Sequence, residues 1–328
     1  DAEFFIGLVA PLGVDRDIVV QALNENLKQF QYRYTEIKLS GLIRSFKGFE
    51  NLKAKDEMDR YDYYNNYMDK GNELRKKFGS GEALAWAAMN AVLSTRRNYY
   101  KDNPEIENKI LYPIPRMAYI FNSLKHVDEV TFLRGVYQKN FVLISIYAHK
   151  DERIKNLAKE LADSANETKW EPFKTRAMDL INRDEMEEGQ PYGQKVRDVF
   201  SMSDFFINSE DEKNVRAEIS RFLDLLFGNP FVTPSVDEFA MFHAYATALK
   251  SSAISRQVGA SICTDDGLVL GLGCNEVPKA GGGFYWESDE NDKRDFKVAK
   301  GGLDPSTKIK HKMFEKFIEY VLGMLEKD

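Results

Sequence analysis

Short apolar segments alternate with longer segments of helical spacing through most of this sequence, and that alternation restricts the fold more than any other feature. The apolar run at residues 3–10 ends in Pro11 and Gly13, and a helical pattern follows at residues 17–27. A second β-prone segment at residues 34–39 comes at the distance that a crossover connection requires. Strand, turn, helix and strand in this order predict a parallel sheet covered by helices.

Three further apolar segments extend the predicted sheet. They lie at residues 117–121, 141–147 and 203–208, and a helical pattern at residues 128–137 separates the first two. A closing helix is predicted at residues 214–227. The sequence therefore predicts an α/β domain built on a doubly wound parallel sheet.

The clearest break in the chain is Gly228-Asn229-Pro230, because Gly and Pro end a helix and start an irregular segment. We place a domain boundary here, which divides the sequence into residues 1–229 and residues 230–328. The second domain is predicted to open with a helix at residues 236–252. Alternating apolar residues on both sides of Asp265-Asp266-Gly267 then predict an antiparallel hairpin.

The overall composition excludes several classes of protein. The chain has 46 Lys and Arg against 52 Asp and Glu, and this net charge of −6 argues against a protein that coats nucleic acid. It has no run of about 18 apolar residues, so no membrane-spanning helix is predicted. Its two cysteines, Cys263 and Cys274, exclude a disulfide scaffold and indicate a reducing compartment, which predicts a cytoplasmic protein.

The segment between the first strand and the first helix has the position of a phosphate-binding loop. It contains Gly7, Pro11, Gly13 and Asp15, and the amides of the following helix are expected to receive an anion. Val14 and Asp15 stand where a complete motif has Lys and Ser or Thr, so binding is favoured over phosphoryl transfer. A turn that only joins strand to helix explains this segment equally well.

The first domain resembles the nucleoside and nucleotide kinase branch of the P-loop proteins over residues 3–227. The resemblance rests on the loop and on three further segments, which are Pro115-Arg116-Met117, residues 128–134 and residues 141–153. Arg116, Arg134 and Arg153 are candidates for clamping phosphate, because a guanidinium group matches the geometry of phosphate oxygens. Ordinary ion pairs on helix faces are the alternative explanation for each arginine.

The start of the second domain carries the most specific pattern in the chain. A helix rich in Ala and Ser leads into Ser255-Arg256-Gln-Val-Gly-Ala260, and the hairpin ends in Gly273-Cys-Asn275-Glu276-Val-Pro278. These elements resemble the opening of the deoxycytidylate deaminase family. Together with the kinase-like half, Gly281-Gly-Gly283, Tyr285-Trp286 and Arg294-Asp295, the chain resembles the bacterial anti-phage deoxycytidine nucleotide deaminases.

That resemblance implies an activity and a substrate class. The activity is zinc-dependent conversion of dCTP to dUTP, which depletes the nucleotide pool during phage infection, with the first domain as a nucleotide-binding regulator. We expect Asn275 to satisfy a sugar hydroxyl or a base edge, and Arg256, Ser255 and Glu276 to complete the substrate site. These residues do not distinguish dCMP from dCTP, and a purely turn-stabilising role for Asn275 is the alternative.

The zinc-binding segments of such deaminases do not occur in this sequence. They consist of His-x-Glu and Pro-Cys-x-x-Cys, whereas His243 is followed two residues later by Tyr245, and the two cysteines are 11 positions apart. No catalytic or metal residue is therefore assigned. Because the sequence stops within a helical pattern at residues 309–325, we expect the zinc-bearing half of the domain to lie outside these residues.

Two other functions remain as alternatives to the enzyme. One is a catalytically inactive nucleotide-binding or regulatory module, and the other is a nucleotide kinase, which the residues after Gly13 disfavour. The resemblance implies a homo-oligomer with a deoxycytidine nucleotide as ligand. A second nucleotide at the first domain and an inhibitory RNA or protein are further partners to test.

Overall fold

The structure is a computed structural model, and it describes residues 3–103, 105–106, 108–185, 187, 193, 195–298 and 305–325. The chain divides into two compact units, Asp1–Asn229 and Pro230–Asp328. We call them unit 1 and unit 2, and we describe each by itself.

Unit 1 is built on a five-stranded parallel sheet, which confirms the predicted α/β fold. The strand order across the sheet is β2-β3-β1-β4-β5. The strands are β1 (Phe4–Val9), β2 (Arg33–Lys38), β3 (Met117–Asn122), β4 (Phe141–Tyr147) and β5 (Phe205–Asn208).

Helices cover both faces of this sheet. They are α1 (Arg16–Gln29), α2 (Leu39–Leu42), α3 (Arg60–Phe78), α4 (Ala83–Tyr99), α5 (Val127–Tyr137), α6 (Lys150–Ser164), α7 (Lys174–Glu185), α8 (Val196–Phe200) and α9 (Glu212–Leu226). Short 3₁₀ turns occur at Ile43–Ser45, Lys55–Glu57, Gln138–Asn140 and Glu171–Phe173.

The sheet is buried on both faces because successive side chains of each strand point to opposite sides. In β1, Phe5 packs with residues of α4 and α5 in one core cluster, whereas Ile6 and Leu8 pack with residues of α1 and α9 in another. Every residue of β3 is buried. This burial explains why β1 and β3 read as nearly continuous apolar runs in the sequence.

The order of the strands determines where a ligand can reach the sheet. The connection after β1 leads to β2 on one side, whereas β4 and β5 extend the sheet on the other side. Ligands of open parallel sheets bind beyond the carboxyl ends of the strands where the strand order reverses. In unit 1 this is the edge at which β1, β3 and β4 end.

Unit 2 opens with α10 (Val236–Ala248), followed by the antiparallel strands β6 (Gly259–Cys263) and β7 (Val269–Cys274). Ser235 caps α10 by accepting a hydrogen bond from the Glu238 amide at 3.2 Å. The helix packs closely on the hairpin, because a Cβ at Gly259 would lie 1.9 Å from the Ala244 carbonyl oxygen. Helix and hairpin occur in the predicted order, although α10 ends four residues earlier than the pattern predicts.

The remainder of unit 2 contains α11 (Asp295–Val298) and α12 (Pro305–Leu325). Ala244 is the one buried apolar residue among the described residues of this unit, and large apolar side chains of α10 and α12 are exposed. In neither unit do the described residues include a helix long and apolar enough to cross a membrane.

Candidate functional site

The loop after β1 is closed by its own chain at the position where an anion was expected. Asp15 is the N-cap of α1, and its Oδ1 accepts hydrogen bonds from the amides of Asp17 at 3.1 Å and Ile18 at 3.4 Å. A carboxylate here satisfies the donors that a phosphate would use, and it repels a second anion. This cap disfavours a phosphate at these amides, and phosphate binding at Asp15 stays a prediction.

Of the three other loop residues that the sequence singled out, two lie in the loop. Gly7 is inside β1, where it pairs with Phe121 and Leu143, so it is part of the sheet and does not face a ligand in the loop. Pro11 and Gly13 both line a cavity of about 300 Å³ beside the loop, which we call the loop cavity.

The loop is held in place by buried charged side chains from distant parts of unit 1. Lys125 Nζ donates to the Ala10 carbonyl oxygen at 2.8 Å and to Asp184 Oδ1 at 2.8 Å. Asp184 Oδ2 in turn accepts from the Leu12 amide at 2.8 Å. Burial lowers the pKa of Lys125, and Asp184 opposes that shift. Sequence spacing does not predict this pair, because its members are 59 residues apart.

Two of the three candidate arginines lie far from the loop. Arg116 directly precedes β3, and its side chain donates a hydrogen bond to Gln31. Arg134 donates to Asp204 Oδ1 at 2.7 Å, and Asp204 directly precedes β5. Both contacts are at the amino ends of the strands, whereas the loop follows the carboxyl end of β1. The structure therefore does not bring Arg116 and Arg134 to the loop, and phosphate binding by these two arginines stays a prediction.

Arg153 is the candidate arginine that the structure places beside the loop. Its Nε donates to the Leu12 carbonyl oxygen at 3.0 Å, and its Nη1 donates to Glu185 Oε1 at 2.7 Å. The main-chain oxygen of Arg153 would lie 2.2 Å from a Cβ at Gly13. Helix α6 therefore packs directly against the loop.

A second cavity opens next to the loop cavity, between α3 and the ends of β1 and β3. We call it the central cavity, and it has a volume of about 230 Å³. The two cavities share Leu12, Arg16, Asp17, Lys55 and Tyr64.

Unsatisfied polar atoms lie at the end of β3 on the wall of the central cavity. Asn122 is 4% exposed, and its Nδ2 donates to Glu36 Oε1 at 2.7 Å. Asn122 Oδ1 and the Ser123 hydroxyl are buried without a hydrogen-bond partner among the described residues. An unpaired buried polar atom costs about 1–3 kcal/mol, so these atoms favour a ligand that can donate to them.

Tyrosines of α3 form another wall of the central cavity. Tyr63, Tyr64 and Tyr67 line it, and the Tyr64 hydroxyl donates to Glu160 Oε2 at 2.9 Å. Burial raises the pKa of Tyr63 and of Tyr64, so both phenols are neutral at physiological pH. These rings provide flat apolar surface with polar tips, which suits an aromatic ligand.

Among the cations that line the central cavity, one has no hydrogen-bond or ion-pair partner within the described residues. Arg75 pairs with Glu129 at 3.0 Å, Lys125 with Asp184, and Lys55 with Glu160 at 2.9 Å. These pairs belong to the structure of unit 1.

Arg16 lines both cavities, and it forms no hydrogen bond or ion pair within the described part of the chain. It is half-buried in the first turn of α1. The sequence pattern did not single out Arg16, because Arg16 follows the positions at which a complete phosphate-binding motif has Lys and Ser or Thr.

The substrate residues predicted for unit 2 form a hydrogen-bonded turn. Asn275 Oδ1 accepts from the Val258 amide at 2.8 Å and from the Ser251 hydroxyl at 2.9 Å, and Asn275 Nδ2 donates to the Arg256 carbonyl oxygen at 2.7 Å. The amide is thus used to join the end of β7 to the segment before β6. This geometry agrees with the turn-stabilising alternative for Asn275.

Glu276 extends the same network. Its Oε2 accepts from the Ser252 amide at 2.7 Å and from the Ser252 hydroxyl at 2.6 Å, and its Oε1 accepts from the Val277 amide at 2.8 Å. Burial alone would raise the pKa of Glu276, but these hydrogen bonds lower it. Ser255 and Arg256 are exposed, so their side chains remain accessible to a ligand.

The residues described for unit 2 do not fit a zinc ion. Cys263 pairs with Val269 near the hairpin turn, and Cys274 pairs with Gly259 at the open end, so the two thiols lie at opposite ends of the hairpin. His243 packs against the ring of Phe239 at 4.4 Å. No group of three His, Cys, Asp or Glu side chains with metal-binding geometry occurs within the described ranges of either unit.

Comparisons with known proteins add little to this geometry. No protein-family model matches the chain, and no curated protein matches it. Among solved structures, the chain is similar to an uncharacterized protein from Eubacterium ventriosum ATCC 27560, with 14% identity over 68% of this chain and 98% of that chain. The TM-score is 0.29, so we draw no conclusion from this similarity.

Proposed function

We propose that unit 1 binds a nucleotide in the central cavity and that this binding regulates deamination of deoxycytidine nucleotides by the domain to which unit 2 belongs. The observation that carries the nucleotide site is Arg16, a half-buried guanidinium group without a partner among the described residues, between two cavities. Guanidinium groups bind phosphate through paired hydrogen bonds.

The rest of the central cavity suits the nucleoside part of such a ligand. The rings of Tyr63 and Tyr67 offer surface for stacking a base, and Asn122 Oδ1 accepts a hydrogen bond from a base or sugar. With the phosphate at Arg16, the nucleoside would extend toward the end of β3. In this placement, the amides at the start of α1 keep their hydrogen bonds to Asp15.

The same geometry argues against phosphoryl transfer. The loop has no lysine after Gly13, and the Asp15 carboxylate occupies the amides that would bind the β- and γ-phosphates of a donor. A nucleotide that binds here is therefore proposed as an effector and not as a phosphate donor.

The deaminase part of the proposal rests on the resemblance of the 255–278 segment, supported by the order helix, strand, turn, strand in unit 2. Because the residues described here supply no zinc site, we assign no chemical step to them. The proposal requires zinc-bearing segments outside these residues, and it includes dCTP or dCMP as substrate. It also includes the homo-oligomeric state and the anti-phage role that the resemblance implies.

Deamination is tested by incubating the intact purified protein with dCTP and with dCMP and measuring dUTP and dUMP. We expect product that disappears when a zinc chelator is added and returns when zinc is restored. Absence of product with every nucleotide effector would reject the enzyme, and nucleotide binding without product would favour the regulatory module. The lack of a metal-binding group in the described residues is the observation behind that second candidate.

Nucleotide binding is tested separately by titration calorimetry of the 328-residue chain with deoxynucleoside mono- and triphosphates. Because a charge-assisted hydrogen bond contributes about 1.5–3 kcal/mol, we expect Arg16→Gln to weaken binding by roughly 10- to 100-fold. Arg97→Gln, on the exposed face of α4, is the matched control and should leave affinity unchanged. Equal affinities for both variants would remove Arg16 from the site.

A further inference from the structure

Unit 1 contains another cavity, at the end of β4, that shares no lining residue with the central cavity. We call it the β4 cavity, and its volume is about 220 Å³. It is lined by Pro11, Tyr147, Ala148, Arg153, Glu185, Val196, Arg197 and Phe200. The lining is mostly apolar, and its charged residues are Arg153, Glu185 and Arg197.

The ion pair of Arg153 with Glu185 leaves a hydrogen-bond donor unused. Arg153 is 7% exposed, its Nε donates to Leu12 and its Nη1 donates to Glu185. The Arg153 Nη2 atom is buried and has no hydrogen-bond partner among the described residues. Because leaving a buried charged donor unpaired is costly, this atom indicates a ligand acceptor beside it.

An acceptor lies next to that donor. Glu185 Oε1 takes the hydrogen bond from Arg153 Nη1, whereas Oε2 lies 3.7 Å from Arg197 Nη2, which is too long for a hydrogen bond. Within the described residues, Glu185 Oε2 therefore retains its capacity to accept. Two residues that line the same apolar cavity thus carry an unused donor, on Arg153, and an unused acceptor, on Glu185.

We propose that the β4 cavity binds a nucleobase, that is, a planar heterocycle whose edge carries a hydrogen-bond acceptor next to a donor. The acceptor of the base meets Arg153 Nη2, the donor of the base meets Glu185 Oε2, and the ring lies among Tyr147 and Phe200. A planar base suits this cavity of about 220 Å³, because two aromatic side chains form part of its wall.

This site does not depend on the function proposed above, because it uses neither Arg16 nor the residues of α3. It also needs no phosphate, and that difference separates the two sites experimentally.

The test is ligand-observed NMR of the 328-residue chain with adenosine, guanosine, cytidine and uridine, which carry no phosphate. We expect at least one nucleoside to bind saturably, and Glu185→Gln to weaken that binding at least tenfold. This substitution keeps the shape of the side chain and removes the charged acceptor. Glu152→Gln, at a half-exposed position of α6, is the matched control and should bind like the unaltered chain.

A second variant protects the test against loss of the fold. Arg153→Lys keeps the positive charge and removes the Nη2 donor, and it should likewise weaken nucleoside binding at least tenfold with an unchanged circular dichroism spectrum. Absence of binding by all four nucleosides, or binding that neither variant changes, would overturn the proposal. The Arg16→Gln variant should leave nucleoside binding intact, so failure of the nucleotide site and failure of this site are distinguishable.

Discussion

His126 shows how a single buried side chain links local structure to pH. It is the N-cap of α5, and its Nδ1 accepts a hydrogen bond from the Asp128 amide at 3.2 Å. Burial lowers the pKa of His126. The charges of Arg75 and Lys195 lower this pKa further, whereas Glu129 and Asp128 raise it. Only the neutral ring can serve as the acceptor in this cap.

The lowered pKa predicts a loss of stability in weakly acidic solution. The unfolded chain binds the His126 proton near the usual value of 6.5, whereas the folded chain binds it only at lower pH. The free energy of unfolding should therefore fall as the pH drops from 6.5 toward the folded pKa. His126→Asn keeps a good cap and should flatten this dependence.

Urea unfolding followed at about pH 5 to 7.5 measures this effect. His311→Asn, on the exposed face of α12, is the control and should keep the original pH dependence. Identical slopes for His126→Asn and the unaltered chain would contradict the assignment.

Gly13 is required by the backbone of the loop. Its φ is +82°, and a Cβ would lie 2.2 Å from the Arg153 carbonyl oxygen, which belongs to the backbone of α6. We expect Gly13→Ala to destabilise unit 1 by at least about 1–3 kcal/mol, the usual cost of a strained backbone position. Urea denaturation measures this change.

The control for this substitution is Gly135→Ala in the last turn of α5. A Cβ at Gly135 meets nothing within 4 Å, so alanine should stabilise the helix by about 0.5–1 kcal/mol. If Gly13→Ala is not less stable than the unaltered chain, the loop tolerates a side chain at this position and the prediction is wrong.

At the scale of elements, α1 and α9 of unit 1 begin in the same way, and this allows a matched comparison. Asp15 caps α1, and Asp211 caps α9 by accepting from the amides of Lys213 at 2.9 Å and Asn214 at 3.4 Å. Only the first cap lines the loop cavity, which shares Arg16 with the central cavity where a nucleotide is proposed to bind.

We expect Asp15→Asn to increase nucleotide affinity severalfold, because asparagine caps a helix about as well as aspartate but carries no charge to repel phosphate. Asp211→Asn should cost the same small amount of stability, at most about 1 kcal/mol, without changing affinity. Calorimetric titration of both variants measures the difference. Unchanged binding by Asp15→Asn would place the phosphate away from α1.

Elements also differ in how well they were predictable. The strand bounds at β1, β3 and β4 agree with the apolar runs because both faces of these strands are buried. The segment at residues 203–208 forms a strand only from Phe205, because Asp204 is used to bind Arg134 and the Leu143 amide. The periodicity of neighbouring residues does not predict such contacts between distant segments.

At the scale of the whole molecule, the two units differ in their cores. The three core clusters consist of residues of unit 1 alone. Among described residues of unit 2, apolar side chains such as Phe242, Leu272 and Phe317 are at least half exposed. Exposed apolar surface of this extent does not stabilise an independent fold.

We therefore expect residues 1–229 to fold alone with one cooperative thermal transition. Residues 230–328 alone should show no sharp transition and should bind a hydrophobic dye. Circular dichroism and dye fluorescence of the two fragments measure this. A cooperative transition in the second fragment would contradict the expectation.

The sequence by itself determined the alternation of strands and helices, the break at Gly228-Asn229-Pro230 and the hairpin around Gly267, because these depend on the periodicity of neighbouring residues and on Gly and Pro. Only the tertiary structure decided which charges meet. It placed Arg116 and Arg134 at the far ends of the strands and brought Lys125 to Asp184 across 59 positions. The physical reason is that strand direction and long-range packing set these distances, and neither is encoded in local spacing.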